Sequence, residues 1–280
     1  IHSDVWGPSH FKSIHGFRYF VLFLDECTGF VWIYPLFNKS EVFSKFLKFF
    51  ALIQTQFNAK IQHFQSDGGG EYISKPFTDF FANHGILDQF TCPYTPQQNG
   101  MAERKNRHVV ETPLTPLTAA NMPGQFWYHS LAYAVYLINR MPSQALKHQA
   151  PYFRLYGKQP ELHSLRIFGT AVYPYLRPYN VHKFQPRTTQ YVFLGYSSGY
   201  KGVLCYDIVT DKFVISRHVI HENRFGLSSH YCSVHRLLFL NLRQRHHIFF
   251  FLCLCKKLHL RLPQSHHLLI QHHLLLLCNY

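Results

Sequence analysis

Apolar side chains crowd the start of the chain in short runs. Ile1 to Val5, Phe17 to Leu24 and Phe30 to Leu36 are rich in Phe, Val, Ile and Tyr, and Gly-Pro and Cys-Thr-Gly turn signals separate them. Connections this short predict three antiparallel strands. The period then changes: Val42, Phe43, Phe46, Leu47, Phe49 and Phe50 recur at helical spacing, which predicts a helix from an N-cap at Ser40 to about Phe57. A strand from Ile61 to Gln65 ends on Ser66-Asp67-Gly68-Gly69-Gly70, where three glycines permit turns that other residues resist. A short helix (Lys75 to Asn83), a strand (Ile86 to Phe90) and an irregular loop (Pro93 to Gly100) follow. From Met101 a long polar helix is predicted, and then another from Phe126 to Asn139, with Trp127, Leu131, Val135 and Leu137 on its apolar side. Strands first, then strand and helix in alternation, is the order of a mixed α/β layer fold.

After Pro142 the texture changes. A Pro- and Tyr-rich connector leads to the short β-like runs Leu165 to Phe168, Ala171 to Leu176, Gln190 to Tyr196, Gly202 to Tyr206 and Lys212 to Ile220, a pattern that predicts a small β-barrel. Beyond Gly226 it breaks again. Residues 227–280 hold no Asp or Glu, and 16 Leu and 9 His fill the stretch without a helical or strand period. Pro, Ser and Thr codons read one base out of register yield mostly His, Leu, Ile and Gln, so a frameshifted or disordered tail is the preferred reading. A plain basic tail and a His/Cys metal tract are its rivals, the latter without any metal-ligand spacing.

Charge bears on the partner. With 28 Lys and Arg against 14 Asp and Glu, the 280-residue chain carries a formal charge of +14, which favours a polyanion because binding releases counterions from phosphates. No apolar run approaches the roughly 18 residues of a membrane span, so no membrane partner is expected. The seven Cys show no C-x-x-C pair, the expectation for a reducing compartment. The first residue is Ile1 and not Met, the expectation for a piece of a longer polyprotein.

Three carboxylates stand out by position: Asp4 inside the first strand, Asp67 at the end of the fourth, and Glu103 in the first turn of a helix. Isolated acids are usually solvated. A carboxylate inside a Val/Ile/Trp strand, however, costs several kcal/mol unless it is paired or bound to a cation. A divalent ion would satisfy it, and hard oxygen ligands suit Mg²⁺.

The segments Ile1-His-Ser-Asp-Val-Trp-Gly-Pro8, Phe64-Gln-Ser-Asp-Gly-Gly-Gly-Glu-Tyr72 and Pro93-Tyr-Thr-Pro-Gln-Gln-Asn-Gly-Met-Ala-Glu-Arg-Lys-Asn106 resemble copia-type retrotransposon integrases, with 35 residues between Asp67 and Glu103. The likeness continues through Phe126-Trp127, Tyr136 to Arg140, Arg166 to Gly169, Phe193 to Tyr196 and Ser216 to Val219. It implies a ribonuclease H-like mixed sheet flanked by helices, followed by a small SH3-like β-barrel. The organisation expected is a catalytic core at 1–140, a connector at 141–164, the SH3-like domain at 165–226 and the tail at 227–280. The resemblance makes Asp4, Asp67 and Glu103 the catalytic residues and the ligands of two Mg²⁺ or Mn²⁺ ions, and the activity a DNA-joining polynucleotidyl transfer. It further implies DNA (element ends and target) as partner, a homo-oligomer on DNA, and residence in the nucleus and in a cytoplasmic particle.

Around Glu103 the residue types fit DNA contact. Asn106 and Arg107 lie three and four positions after it on one helix face, beside Arg104 and Lys105, and Gln97, Gln98 and Asn99 look like the flexible catalytic loop of the family. A solvated helix face is the plainer reading of the basic residues. The chain departs from the family at Glu111-Thr-Pro-Leu-Thr-Pro-Leu117, where prolines stand in what the family builds as an unbroken helix; a stop or kink near Thr112 is expected. A decayed copy is therefore one expectation. A catalytically inactive nucleic-acid-binding remnant and a ribonuclease H-type hydrolase are the competing readings.

Overall fold

A computed structural model describes residues 1–90, 109, 112, 114–197 and 199–225. Glu103, Gln97, Gln98, Asn99, Arg104, Lys105, Asn106, Arg107 and the Leu/His-rich stretch 227–280 lie outside the described residues.

The first three apolar runs form β1 (His2–Trp6), β2 (Tyr19–Leu24) and β3 (Val31–Leu36), an antiparallel meander. A 3₁₀ turn at Lys39–Glu41 leads into α1 (Val42–Phe57), which ends at Asn58 in the left-handed conformation. Ser40 is thus not the N-cap: it lies inside the 3₁₀ turn, and Glu41 holds the cap position without a side-chain bond. Next come β4 (His63–Ser66), α2 (Lys75–His84) and β5 (Leu87–Phe90). The sheet order is β3-β2-β1-β4-β5, with β4 parallel to both β1 and β5.

Alternation along the strands gives this sheet two apolar faces. On one face Val21, Phe23 and Phe64 pack with Phe46 and Phe49 of α1 and Phe77 and Phe81 of α2, and Phe23 stacks on Phe49 with ring centroids 4.5 Å apart. On the other, Trp6 and Phe20 meet Trp127. Trp127 opens the helix that covers this face.

Thr112 lies in a turn, and a short helix α3 runs Leu114–Ala119. Pro116 falls in its first turn, where backbone N–H groups have no intrahelical acceptor, so this proline breaks no bond there. After a 3₁₀ turn at Gly124–Phe126, α4 (Trp127–Ile138) is buried around most of its circumference, not along one stripe. A second sheet covers its other side.

A 3₁₀ turn (Gln144–Leu146) and α5 (Pro151–Tyr156) precede that sheet. Its strands are β6 (Thr170–Pro174), β7 (Tyr191–Tyr196), β8 (Val203–Asp207), β9 (Lys212–Ser216) and β10 (Val219–Phe225). They pair antiparallel in the order β10-β6-β7-β8-β9. The expected single run from Lys212 to Ile220 is broken at Arg217-His218, where the Ser216 hydroxyl donates to the His218 carbonyl at 3.0 Å. β9 and β10 occupy opposite edges of the sheet, yet two residues join them. A connection that short spans only roughly 10 Å, so the sheet must curl until its edges approach, the shape of a small barrel.

Leu165 to Phe168 does not form the expected strand. Its apolar side chains are buried, but the backbone of Arg166 bonds to side chains instead of a ladder: its N–H donates to the Tyr196 hydroxyl and its carbonyl accepts from the Tyr133 hydroxyl, each at 2.8 Å. Tyr133 packs on Phe168 and Phe193, and His129 stacks on Phe213, so α4 is the shared layer between the two sheets.

Candidate active site

Asp4 and Asp67 reach one place through strand register. β1 and β4 are parallel with His2 opposite Gln65, and each aspartate lies two residues further along its own strand direction. The period of two puts both side chains on the same face as Trp6, the face that α4 covers further along β1. Ser3, one position before Asp4, points the other way and bonds the buried Tyr72 hydroxyl at 2.6 Å.

The turn after β4 orients Asp67. Gly68 is left-handed at φ 71°, and the Gly69 N–H donates to Asp67 Oδ1 at 3.0 Å. Gly69 must stay small: a Cβ there would come within 3.1 Å of the Glu71 carboxylate and 3.2 Å of Asp67 Oδ1. Glu71 therefore leans over the same glycine as Asp67, and its Oε1 accepts from Lys39 Nζ at 3.1 Å. Lys39 and Glu71 were not singled out in the sequence. Glu71 lies four residues after Asp67 in the Phe64 to Tyr72 segment that carries the resemblance; Lys39, 28 residues before Asp67, carried no signal.

Electrostatics set Asp4 apart. Burial first, and then the neighbouring Asp67 charge, push its carboxyl up to about 6; Glu71 adds to the rise, while a backbone hydrogen bond and Lys39 oppose it. Burial and the neighbouring charge both disfavour the ionised form of Asp4. The donor set of Asp4 and Asp67, hard carboxylate oxygens, fits a divalent cation of the Mg²⁺ type. Among the described residues no cluster of three or more metal-ligating side chains occurs, and Glu103 lies outside those residues.

Trp127 is buried against Trp6, and His84 stacks on Phe80 at 3.9 Å and bonds its carbonyl. His63 is exposed on β4. No described helix is long and apolar enough to cross a membrane.

Residues 1–96 match the integrase core domain, and residues 170–231 match the retroviral polymerase SH3-like domain. The chain is 44% identical over 231 residues to the retrovirus-related Pol polyprotein from transposon RE1 of Arabidopsis thaliana, covering 82% of this chain and 16% of that protein. It is 42% identical to the RE2 polyprotein of the same plant (80% and 15%) and 36% identical to the TNT 1-94 polyprotein of Nicotiana tabacum (79% and 17%). It thus spans about a sixth of the length of these relatives. Among solved structures it is similar to the HTLV-2 integrase catalytic core domain in complex with magnesium (trimeric form), at 19% identity over 55% of this chain and 94% of that one, with a TM-score of 0.42. With an integrase core domain and a retroviral polymerase SH3-like domain matched in that order, and 36% to 44% identity to Pol polyproteins of copia-type transposons, the chain belongs to the integrase family of copia-type retrotransposons.

Proposed function

We propose that this chain performs metal-dependent polynucleotidyl transfer, joining the 3′ ends of retrotransposon DNA to target DNA. The observation that carries the reading is the placement of Asp4 in β1 and Asp67 one residue past the end of the parallel β4, close enough that the Asp67 charge adds to the burial that pushes the Asp4 carboxyl up to about 6. In this reading Asp4 and Asp67 hold the cations and Glu103 completes the ligand set. Two Mg²⁺ or Mn²⁺ ions, when bound, stabilise the attacking and leaving oxygens of an in-line phosphoryl displacement. Asp4 supplies a carboxylate whose burial favours neutralisation by a cation, and the Gly69 N–H fixes the rotamer of Asp67. Gln97, Gln98, Asn99, Arg104, Lys105, Asn106 and Arg107 contact the DNA. The same proposal divides the chain at 1–140, 141–164 and 165–226 and places a homo-oligomer on DNA, in the nucleus and in a cytoplasmic particle.

The test is strand transfer by the full chain with a double-stranded oligonucleotide carrying an element end, in Mg²⁺ and in Mn²⁺. Asp4→Asn, Asp67→Asn and Glu103→Gln each abolish joining and spare DNA binding. Joining that persists in any one of them removes that residue from the mechanism. Cleavage of an RNA–DNA hybrid in place of joining would favour the ribonuclease H reading. DNA binding with neither activity would favour an inactive remnant.

A further inference from the structure

The ion pair between Lys39 and Glu71 joins two segments that flank the aspartates. Lys39 stands in the 3₁₀ turn after β3, and Glu71 follows the glycine run after β4. β1, β3 and β4 point the same way, so both segments lie at the end of the sheet toward which Asp4 and Asp67 are carried. The Glu71 side chain is 13% exposed and that of Lys39 46%. One Glu71 oxygen takes the lysine at 3.1 Å, while the other would meet a Cβ on Gly69 at 3.1 Å, next to Asp67 Oδ1. A third carboxylate beside two others is unfavourable by itself. An exposed ion pair adds little to global stability, which leaves the stabilisation of this local arrangement as its main effect.

We propose that Lys39 and Glu71 are positioning residues for the Asp67 side of the site: their ion pair ties the glycine-rich turn to the start of α1 and holds Asp67 facing Asp4. This rests on the metal-binding reading above. Partners that orient a metal ligand without touching the ion change metal affinity about 10- to 100-fold when removed. Here the orientation runs through the backbone of Gly69, whose N–H bonds Asp67 and over which Glu71 leans.

The sign of one substitution separates this role from its rivals. A lysine that only repels cations would, when removed, let Mn²⁺ bind more tightly; a lysine that holds the turn would, when removed, weaken it. The full chain is titrated with Mn²⁺ alone by calorimetry, with melting curves recorded in the absence of metal. Lys39→Met and Glu71→Gln each weaken Mn²⁺ binding about 10-fold or more, Lys39→Arg retains it, and the exchanged pair Lys39→Glu with Glu71→Lys recovers part of it, all with melting temperatures close to wild type. Tighter binding in Lys39→Met overturns the proposal, as does loss in Glu71→Gln with Lys39→Met unchanged, which would make Glu71 itself a ligand. Asp67→Asn is the control. If it binds Mn²⁺ as wild type does, or wild type binds none, the metal-site reading fails and this proposal with it. If Asp67→Asn loses the metal and the Lys39 and Glu71 variants keep it, the ion-pair proposal alone fails.

Discussion

Asp4 sits where burial and the neighbouring Asp67 charge disfavour its ionised form, and the effect is measurable without any assay of catalysis. Its folded value of about 6 lies above the ordinary 3.8, so between these two values the folded state holds a proton that the unfolded chain has released. Stability from this group is therefore present below about pH 4 and lost as pH rises through 6, up to roughly 2–3 kcal/mol in all. Asp4→Asn is expected to raise the metal-free melting temperature at pH 7, with the gain vanishing near pH 4; an equal gain at both pH values would show that its charge is not the cause. Under the proposed metal binding, a divalent ion at about 100 times its Kd would stabilise wild type by about 2.7 kcal/mol, a response that Asp4→Asn is expected to lose. Asp4 and Asp67 were singled out in the sequence because a carboxylate in an apolar strand and one at a strand end before glycines depart from local pattern, and because the segments around them resemble copia-type integrases. Lys39 and Glu71 were not, since an exposed lysine and a glutamate in a turn are what solvated loops ordinarily contain. Their partnership exists only through the strand order that brings β3 and β4 to one end.

At the scale of elements, strand and helix positions in the first sheet followed the periodicity to within a residue or two, because each has one clear apolar face. Departures arose where tertiary partners replaced local ones. Leu165 to Phe168 is apolar enough for a strand, but two tyrosine hydroxyls satisfy its backbone. α4 shows four apolar positions at helical spacing yet is buried nearly all round, which only a second covering sheet explains. Asn139, at the end of α4, repeats this theme. Its side-chain amide donates to the Val31 carbonyl at 2.8 Å and its Oδ1 accepts the Val31 N–H at 2.9 Å, so it extends the edge of β3 as a further strand would. Both pairs are buried, and an unpaired buried backbone group costs about 1–3 kcal/mol. Asn139→Ala should therefore lower stability by roughly 2–4 kcal/mol in urea unfolding. Asn139→Asp should be at least as damaging, because it sets an acceptor against the Val31 carbonyl. A loss under about 0.5 kcal/mol, the size of an ordinary surface change, would mean that water replaces the amide.

For the whole molecule, the two sheets share α4, and the joint contains a histidine that resists protonation. His129 is buried, stacks on Phe213 of β9 with planes 13° apart, and lies 3.3 Å from the His15 ring nitrogen. Burial, and then the His15 charge, push its imidazole down to about 3 from the ordinary 6.5. The sign is opposite to that of Asp4. As pH falls below 6.5 the unfolded chain takes up a proton that the folded chain refuses until about 3, so stability present above 6.5 is progressively lost toward 3. Between pH 6 and pH 4 the His129 loss and the Asp4 gain oppose one another. His129→Phe keeps a flat ring against Phe213 and removes a buried Nδ1 that has no hydrogen-bond partner among the described residues. It should change stability at pH 7 by less than about 1.5 kcal/mol, the range of shape-conserving core exchanges, and flatten the loss between pH 6.5 and 4. Urea midpoints at pH 7, 5.5 and 4.5 for wild type and His129→Phe measure both effects. If the variant loses stability with acid as steeply as wild type, the proton taken up on acid unfolding belongs to another group, such as His221, which burial also pushes down, to about 4. In that case the joint between the sheets is not where acid acts.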